Sequence, residues 1–169
     1  GQIFLESSLF FSGMRPAVNV GLSVSRVGGA AQTKAMKKAS GSIRVDLAQY
    51  RELEIFTQFA SDLDATTKAE LDHGSALMQL LKQPLSHPMS MADQVITLVL
   101  ANHRFFDSVP MKLVKETQND ILAMFNKDHR ALIGELSDQK VLTPEIEQQI
   151  VDFAEEYKAS QSGDATAES

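Results

Sequence analysis

The chain has 169 residues, 16 Lys+Arg against 22 Asp+Glu and a formal net charge of -6, a balance that argues against nucleic acid as a partner. Hydrophobic residues make up 43% and charged residues 22%, enough for one packed domain or one and a fraction. No cysteine is present, which excludes disulfides, thiolate metal sites and a Cys nucleophile.

The start, Gly1-Gln2-Ile3-Phe4-Leu5-Glu6, has no basic segment followed by a long apolar one, so it is not a secretory signal. It reads as a strand entered midway and leads us to expect a piece of a longer protein. Ile3 to Leu5 and Val18 to Val24 are short β-like runs separated by a turn at Ser12-Gly13-Met14-Arg15-Pro16. Two strands alone are marginal in water, so these runs imply partners.

From about Ala30 the apolar period lengthens to three or four residues, and the remainder reads as helix. The first helix runs from Ala30 to Lys38 and ends near Ser40-Gly41. Ile43, Leu47, Tyr50, Leu53 and Phe56 then mark one buried face. An acidic break spans residues 58–64. The next helix, from Thr66 to Lys82, directs Leu71, Met78 and Leu81 inward, and Pro84 and Pro88 terminate it.

Ser90-Met91-Ala92-Asp93 has the form of a capping box and opens a helix carrying Val95, Leu98 and Val99. A long helix follows from Pro110, with Leu113, Ile121, Leu122, Phe125, Leu132 and Leu136 as core positions. Thr143-Pro144-Glu145 combines an N-cap, a proline at the first helical position and an acid in the first turn. It starts a last helix with Ile146, Ile150, Phe153 and Tyr157 on one stripe. Residues 160–169 contain no large apolar side chain and are expected to be a disordered tail. The longest apolar run, Val95 to Ala101, falls far short of the roughly 20 residues of a membrane-spanning helix.

Chemistry is sparse. His73, His87, His103 and His129 stand in no metal-binding motif. The carboxylate pairs Asp62/Asp64 and Glu155/Glu156 read as solvated acidic faces. No G-x-S-x-G elbow and no G-x-x-x-x-G-K-[ST] phosphate loop occurs. One constellation stands apart: Ser23-Val24-Ser25-Arg26-Val27-Gly28-Gly29 places a single Arg at a strand end, before two glycines. The planar fork of Arg26 there suits a phosphate on a partner, although local physics alone favours an ordinary strand-to-helix turn.

Several of these stretches resemble the alpha-subunit family of rotary F-type ATP synthases, over its C-terminal third. The resemblance runs from Gly1 to about Lys158. It is carried by Gly1 to Glu6, Ser12 to Ala17, Ser23 to Lys37, Tyr50-Arg51-Glu52-Leu53 and Gln58 to Asp64. It implies a mainly α fold: a helical C-terminal bundle (residues 33–158) preceded by a β-strand remnant of an α/β nucleotide-binding domain (residues 1–32) and followed by the tail (residues 159–169).

In that family, alpha binds nucleotide without hydrolysing it and alternates with beta in a hexamer around gamma. The resemblance therefore implies beta and gamma partners, and ATP or ADP with Mg in the full-length subunit. It also implies peripheral attachment, through the Fo sector, to the cytoplasmic face of a bacterial plasma membrane or the equivalent organelle membrane. A piece of this kind is expected to be inactive by itself and to hold no nucleotide tightly.

By the same resemblance Arg26 is an arginine finger reaching the phosphates held by the neighbouring beta subunit. Such a residue contributes roughly 10³–10⁵ in rate. Ser23 matches a position needed for activity, and Ser25 adjoins the finger. Arg15, Pro16 and Gln83 match the adenine side of alpha's own nucleotide site, with Pro84 and Leu85 departing from the residues that many relatives carry. The loop Ser61-Asp62-Leu63-Asp64 corresponds to an acidic loop facing gamma. Without the resemblance, the residues alone suggest a free-standing helical interaction module without chemistry, or, with almost nothing behind it, a small enzyme built on the histidines.

Overall fold

Ser90 opens the helix around which the others assemble. Its Oγ accepts from the Asp93 backbone N–H at 3.1 Å, the expected N-cap, and donates to Asp93 Oδ2 at 2.7 Å. In the computed structural model, which describes residues 1–57 and 63–164, this helix is Met91–Asn102, the sixth among the described residues. In chain order the helices are α1 (Ser7–Phe11), α2 (Arg26–Ala31), α3 (Lys34–Ala39), α4 (Ile43–Thr57), α5 (Ala65–Leu80), α6 (Met91–Asn102), α7 (Val114–Asp128), α8 (Arg130–Gln139) and α9 (Pro144–Asp164), with a 3₁₀ turn at Phe105–Ser108.

α6 packs against α3, α7, α8, α9 and the 3₁₀ turn. Its Val95, Ile96, Val99 and Leu100 are almost wholly buried, together with Phe106, Ile121, Phe125, Leu136, Ile146 and Ile150 from the surrounding elements. Removing each such side chain from water contributes roughly 1.5–3 kcal/mol, so this one cluster dominates the folding energy. α5 joins from the side, lying against α4, α7 and the 3₁₀ turn.

The fold is mainly helical, as expected, but no strand ladder forms among the described residues. The two β-like runs meet only through isolated antiparallel bridges, Gln2 to Val24 and Leu5 to Val18. Between them lies α1, which nothing in the apolar pattern signals. Its chain turns back at Gly13, whose φ of 85° favours glycine, and the Met14 N–H then donates to the Leu9 carbonyl at 2.9 Å.

Other departures have local causes. The helix expected over Ala30 to Lys38 divides at Gln32-Thr33, because the Thr33 hydroxyl accepts from Met36 N at 3.1 Å and caps a new helix. The long helix expected from Pro110 starts at Val114, leaving Leu113 46% exposed at its N-cap, and breaks again at His129. In α5 the buried face is His73, Ala76, Leu77 and Leu80, displaced around the helix from Leu71, Met78 and Leu81, which are half-buried. α9 continues to Asp164, past the boundary expected at Ser160. The side chain of Phe56 and the positions Ser61 and Asp62 lie outside the described residues.

Candidate functional site

Ser23, Ser25 and Arg26 are held by the N-terminal segment laid alongside them. The Phe4 N–H donates to Ser23 Oγ at 3.0 Å, the Asn19 N–H to the Phe4 carbonyl at 2.8 Å, and the Gln2 N–H to the Val24 carbonyl at 3.3 Å. The Ser25 hydroxyl then accepts from Gly28 N at 2.9 Å and becomes the N-cap of α2, with Arg26 as the first helical residue. A Cβ on Gly28 would press on Ser25 Oγ at 3.1 Å, so the absence of a side chain there leaves the cap undisturbed.

Arg26 thus sits at the start of a short helix rather than at the end of a paired strand. Its side chain is exposed and makes no hydrogen bond or ion pair among the described residues. Leu22, Val24 and Val27 around it are also exposed, Val27 at 78%. The Arg26 guanidinium thus presents its planar fork of donors to solvent amid exposed apolar side chains.

Buried Asn19 fastens this segment to the bundle. Its Oδ1 accepts from Leu22 N and from Arg51 Nη1 on α4, each at 3.0 Å, while its Nδ2 donates to Glu6. Arg44 of α4 adds a bond from Nη2 to the Gly21 carbonyl at 3.2 Å. A polar residue between Val18 and Val20 was the available signal in the sequence, and its partners thirteen and thirty-two positions away were not readable from it.

Arg15, Pro16 and Gln83, far apart in sequence, meet on one edge. The Gln83 N–H donates to the Arg15 carbonyl at 2.9 Å. α5 ends at Leu80, and Pro84 disfavours helical geometry at Gln83, so the helix does not resume there. The Arg15 guanidinium lies over the Phe10 ring, 4.4 Å from its centroid. All three side chains are exposed, and Leu85 beyond them is 93% exposed.

Behind this edge the Lys115 ammonium of α7 donates to the carbonyls of Leu80 and Lys82 and to Gln118 Oε1. Buried Gln118 in turn donates to Thr97 Oγ1 on α6 at 3.2 Å. Burial holds the Lys115 amine below the ordinary lysine value. A cavity of about 60 Å³ separates Gln83 from Thr97 and Gln118. Neither Lys115 nor Gln118 stands out in the sequence, because apart from the bond between them their partners, Leu80, Lys82 and Thr97, lie 21 to 35 positions away.

The histidines disperse. His73 Nδ1 lies 2.8 Å from Asp107 Oδ1, His103 Nε2 lies 3.2 Å from Glu147 Oε1, and His129 stacks on Phe153 with ring centroids 3.7 Å apart. Among the described residues no three His, Asp or Glu side chains form a group able to hold a metal. Asp64 serves as the N-cap of α5, accepting from Thr67 N and Oγ1, bonds that hold its carboxyl below the usual range. Glu155 and Glu156 are exposed. No helix among the described residues is long and apolar enough to cross a membrane.

Comparison with known proteins places this geometry in a family. Residues 32–157 match the ATP synthase alpha/beta chain, C terminal domain, a stretch that includes Gln83 and Lys115 but begins after Arg26. The chain is 46% identical over 157 residues to ATP synthase subunit alpha of Rickettsia canadensis (strain McKiel), covering 93% of this chain and 31% of that protein. It is 49% identical over 158 residues to the subunit alpha of Mycobacterium sp. (strain KMS), covering 94% of this chain and 29% of that protein. The same figures hold against Mycolicibacterium smegmatis (strain ATCC 700084 / mc(2)155). The chain thus spans under a third of the length of these relatives, and it belongs to the family of the ATP synthase alpha/beta chain, C terminal domain.

Proposed function

We propose that this chain is the C-terminal part of a non-catalytic, nucleotide-binding alpha subunit, and that it supplies Arg26 in trans to phosphoryl chemistry on an adjacent beta subunit. The observation that carries the reading is the exposed Arg26 fork, one residue after the Ser25 cap and unengaged among the described residues, in a chain 46% identical over 93% of its own length to a subunit alpha. A guanidinium in that position stabilises the charge that spreads over the phosphoryl oxygens as the bond breaks. Ser23 keeps the segment narrow where the two subunits approach, and Ser25 fixes the direction of the first turn.

Arg15, Pro16 and Gln83 form the adenine edge of alpha's own site: a flat proline, an amide able to read a base edge, and an arginine already placed over an aromatic face. Residues 1–32 are assigned to the end of the nucleotide-binding domain, 33–158 to the helical domain and 159–169 to the tail. Residues 61–64 are assigned a contact with gamma. The assembly sits peripherally on the cytoplasmic face of a coupling membrane. Among the described residues no three His, Asp or Glu side chains gather into a group that could hold Mg²⁺.

The test is steady-state ATP hydrolysis by a reconstituted alpha–beta–gamma complex with Arg26→Ala in full-length alpha, and nucleotide binding followed in parallel. Turnover collapsing by roughly 10³ or more with binding and assembly intact fits the assignment. Unchanged turnover would instead favour a helical docking domain without chemistry.

A further inference from the structure

The peptide unit joining Lys82 to Gln83 is bonded at both ends. Its carbonyl, on Lys82, accepts from the Lys115 ammonium, and its N–H, on Gln83, donates to the Arg15 carbonyl at 2.9 Å. That Arg15 carbonyl belongs in turn to the peptide joining Arg15 to Pro16. Two planar units therefore stand in series between a charge on α7 and the residues assigned above to the adenine edge, and each is rigid about its C–N bond.

The α5 terminus requires such a partner. The last carbonyls of a helix have no acceptor role inside it, and here Pro84 prevents another turn from forming. Lys115 supplies donors to the carbonyls of Leu80 and Lys82, and its remaining donor goes to Gln118 Oε1 at 2.7 Å. All three protons of the ammonium are thus committed. Gln118 is 1% exposed and is itself fixed by Thr97 of α6, so the amine is anchored to the centre of the bundle. A cationic donor on the carbonyl also polarises the same peptide's N–H, strengthening the bond to Arg15.

We propose that Lys115 is a positioning residue for nucleotide binding: by holding the 82–83 peptide it sets the register of Gln83 against Arg15 and Pro16. The proposal rests on the reading of Arg15, Pro16 and Gln83 as nucleotide contacts. Lys115 itself touches no nucleotide, and its effect is transmitted wholly through the backbone.

Two measurements test it together. Backbone amide exchange is followed in the 169-residue chain, and ATP is titrated onto full-length alpha, for the wild type, Lys115→Met, Lys115→Arg and Gln83→Ala. Lys115→Met keeps the apolar stem and removes every donor. We expect it to speed exchange at Gln83 while Val99 and Leu100 of α6 stay protected, and to weaken ATP binding about tenfold, the scale of one charge-assisted hydrogen bond. Lys115→Arg, which retains charged donors, should recover most of both. If Gln83→Ala weakens ATP binding but Lys115→Met changes neither quantity, the positioning role is overturned and the adenine edge stands. Exchange rising evenly through α5, α6 and α7 in Lys115→Met would also overturn it, since that marks general loss of stability. If Gln83→Ala leaves ATP affinity unchanged, the adenine edge fails and the inference falls with it.

Discussion

Gly74 of α5 faces Tyr50 of α4 so closely that a Cβ built on the glycine would lie 2.4 Å from the Tyr50 Cβ and ring. This contact sets how near the two helices approach. It also shows why a glycine, unfavourable in mid-helix by about 1 kcal/mol, is retained there. Gly74→Ala gains that propensity but forces backbone-proximal atoms apart, and overpacking of this kind costs about 1–3 kcal/mol. With the obstructing atom at Cβ rather than at a flexible tip, the upper part of the range applies. We predict net destabilisation of about 1–2 kcal/mol, read as a lowered urea midpoint at unchanged slope.

Asn19 is predicted to be the residue whose loss most loosens the Arg26 segment. Asn19→Leu leaves the Leu22 N–H and Arg51 Nη1 without their acceptor and removes the donor to Glu6. Stranding a donor in a half-buried site costs about 1–3 kcal/mol. Thermal unfolding should show that loss, and exchange at Ser23 N and Phe4 N should rise more than in α6.

The Glu147 carboxylate accepts from Lys38 Nζ at 2.6 Å, and that bond, reinforced by His103, holds its carboxyl below the ordinary value of 4.5. A depressed folded value contributes stability above the unfolded one, lost as the pH falls through the folded value. The pair is solvent-screened, so its contribution is under about 1 kcal/mol. Lys38→Met should therefore lower the unfolding midpoint slightly at pH 7, and the difference from wild type should shrink once the pH lies well below 4.5, to the part that comes from the Lys38 bond to the Leu142 carbonyl.

Ser23 offers a test of geometry without charge. Its hydroxyl accepts from Phe4 N, and its half-buried position leaves little room beside the N-terminal segment. Ser23→Phe in full-length alpha should displace that segment and lower complex turnover about tenfold or more, the scale of an interface group moved by an ångström or so, while Ser23→Ala retains most activity. Turnover of the two variants, measured at equal complex concentration, distinguishes bulk from the lost hydrogen bond.

Local chemistry explains which features could be read in advance. The Ser90 and Thr143 caps, the stop before Pro84 and the Ile146–Ile150 stripe follow from neighbouring residues, and each is in place. Residues 2–5 and 18–24 pair only at two isolated bridges because part of their bonding goes elsewhere, the Phe4 N–H to the Ser23 hydroxyl and the Ser23 N–H to the Asn19 carbonyl. The break at His129 and the displaced face of α5 depend on what lies across the bundle, Phe153 against His129 and Tyr50 against Gly74. At the candidate site, the Arg26 segment was conspicuous by its composition. The bond from Gln83 to Arg15 and the Lys115 bond to the Lys82 carbonyl link segments far apart in sequence, and no local pattern encodes them.

The central claim is that Arg26 acts on phosphate through its planar fork from across a subunit interface. The most direct measurement compares turnover by complexes carrying wild-type, Arg26→Lys and Arg26→Ala alpha, with nucleotide binding to beta recorded on the same samples. The account predicts that both variants bind nucleotide normally and lose turnover, roughly 10³-fold or more for Ala, with Lys recovering little because a single ammonium cannot reproduce the bidentate donor. Wild-type turnover in Arg26→Ala would contradict it.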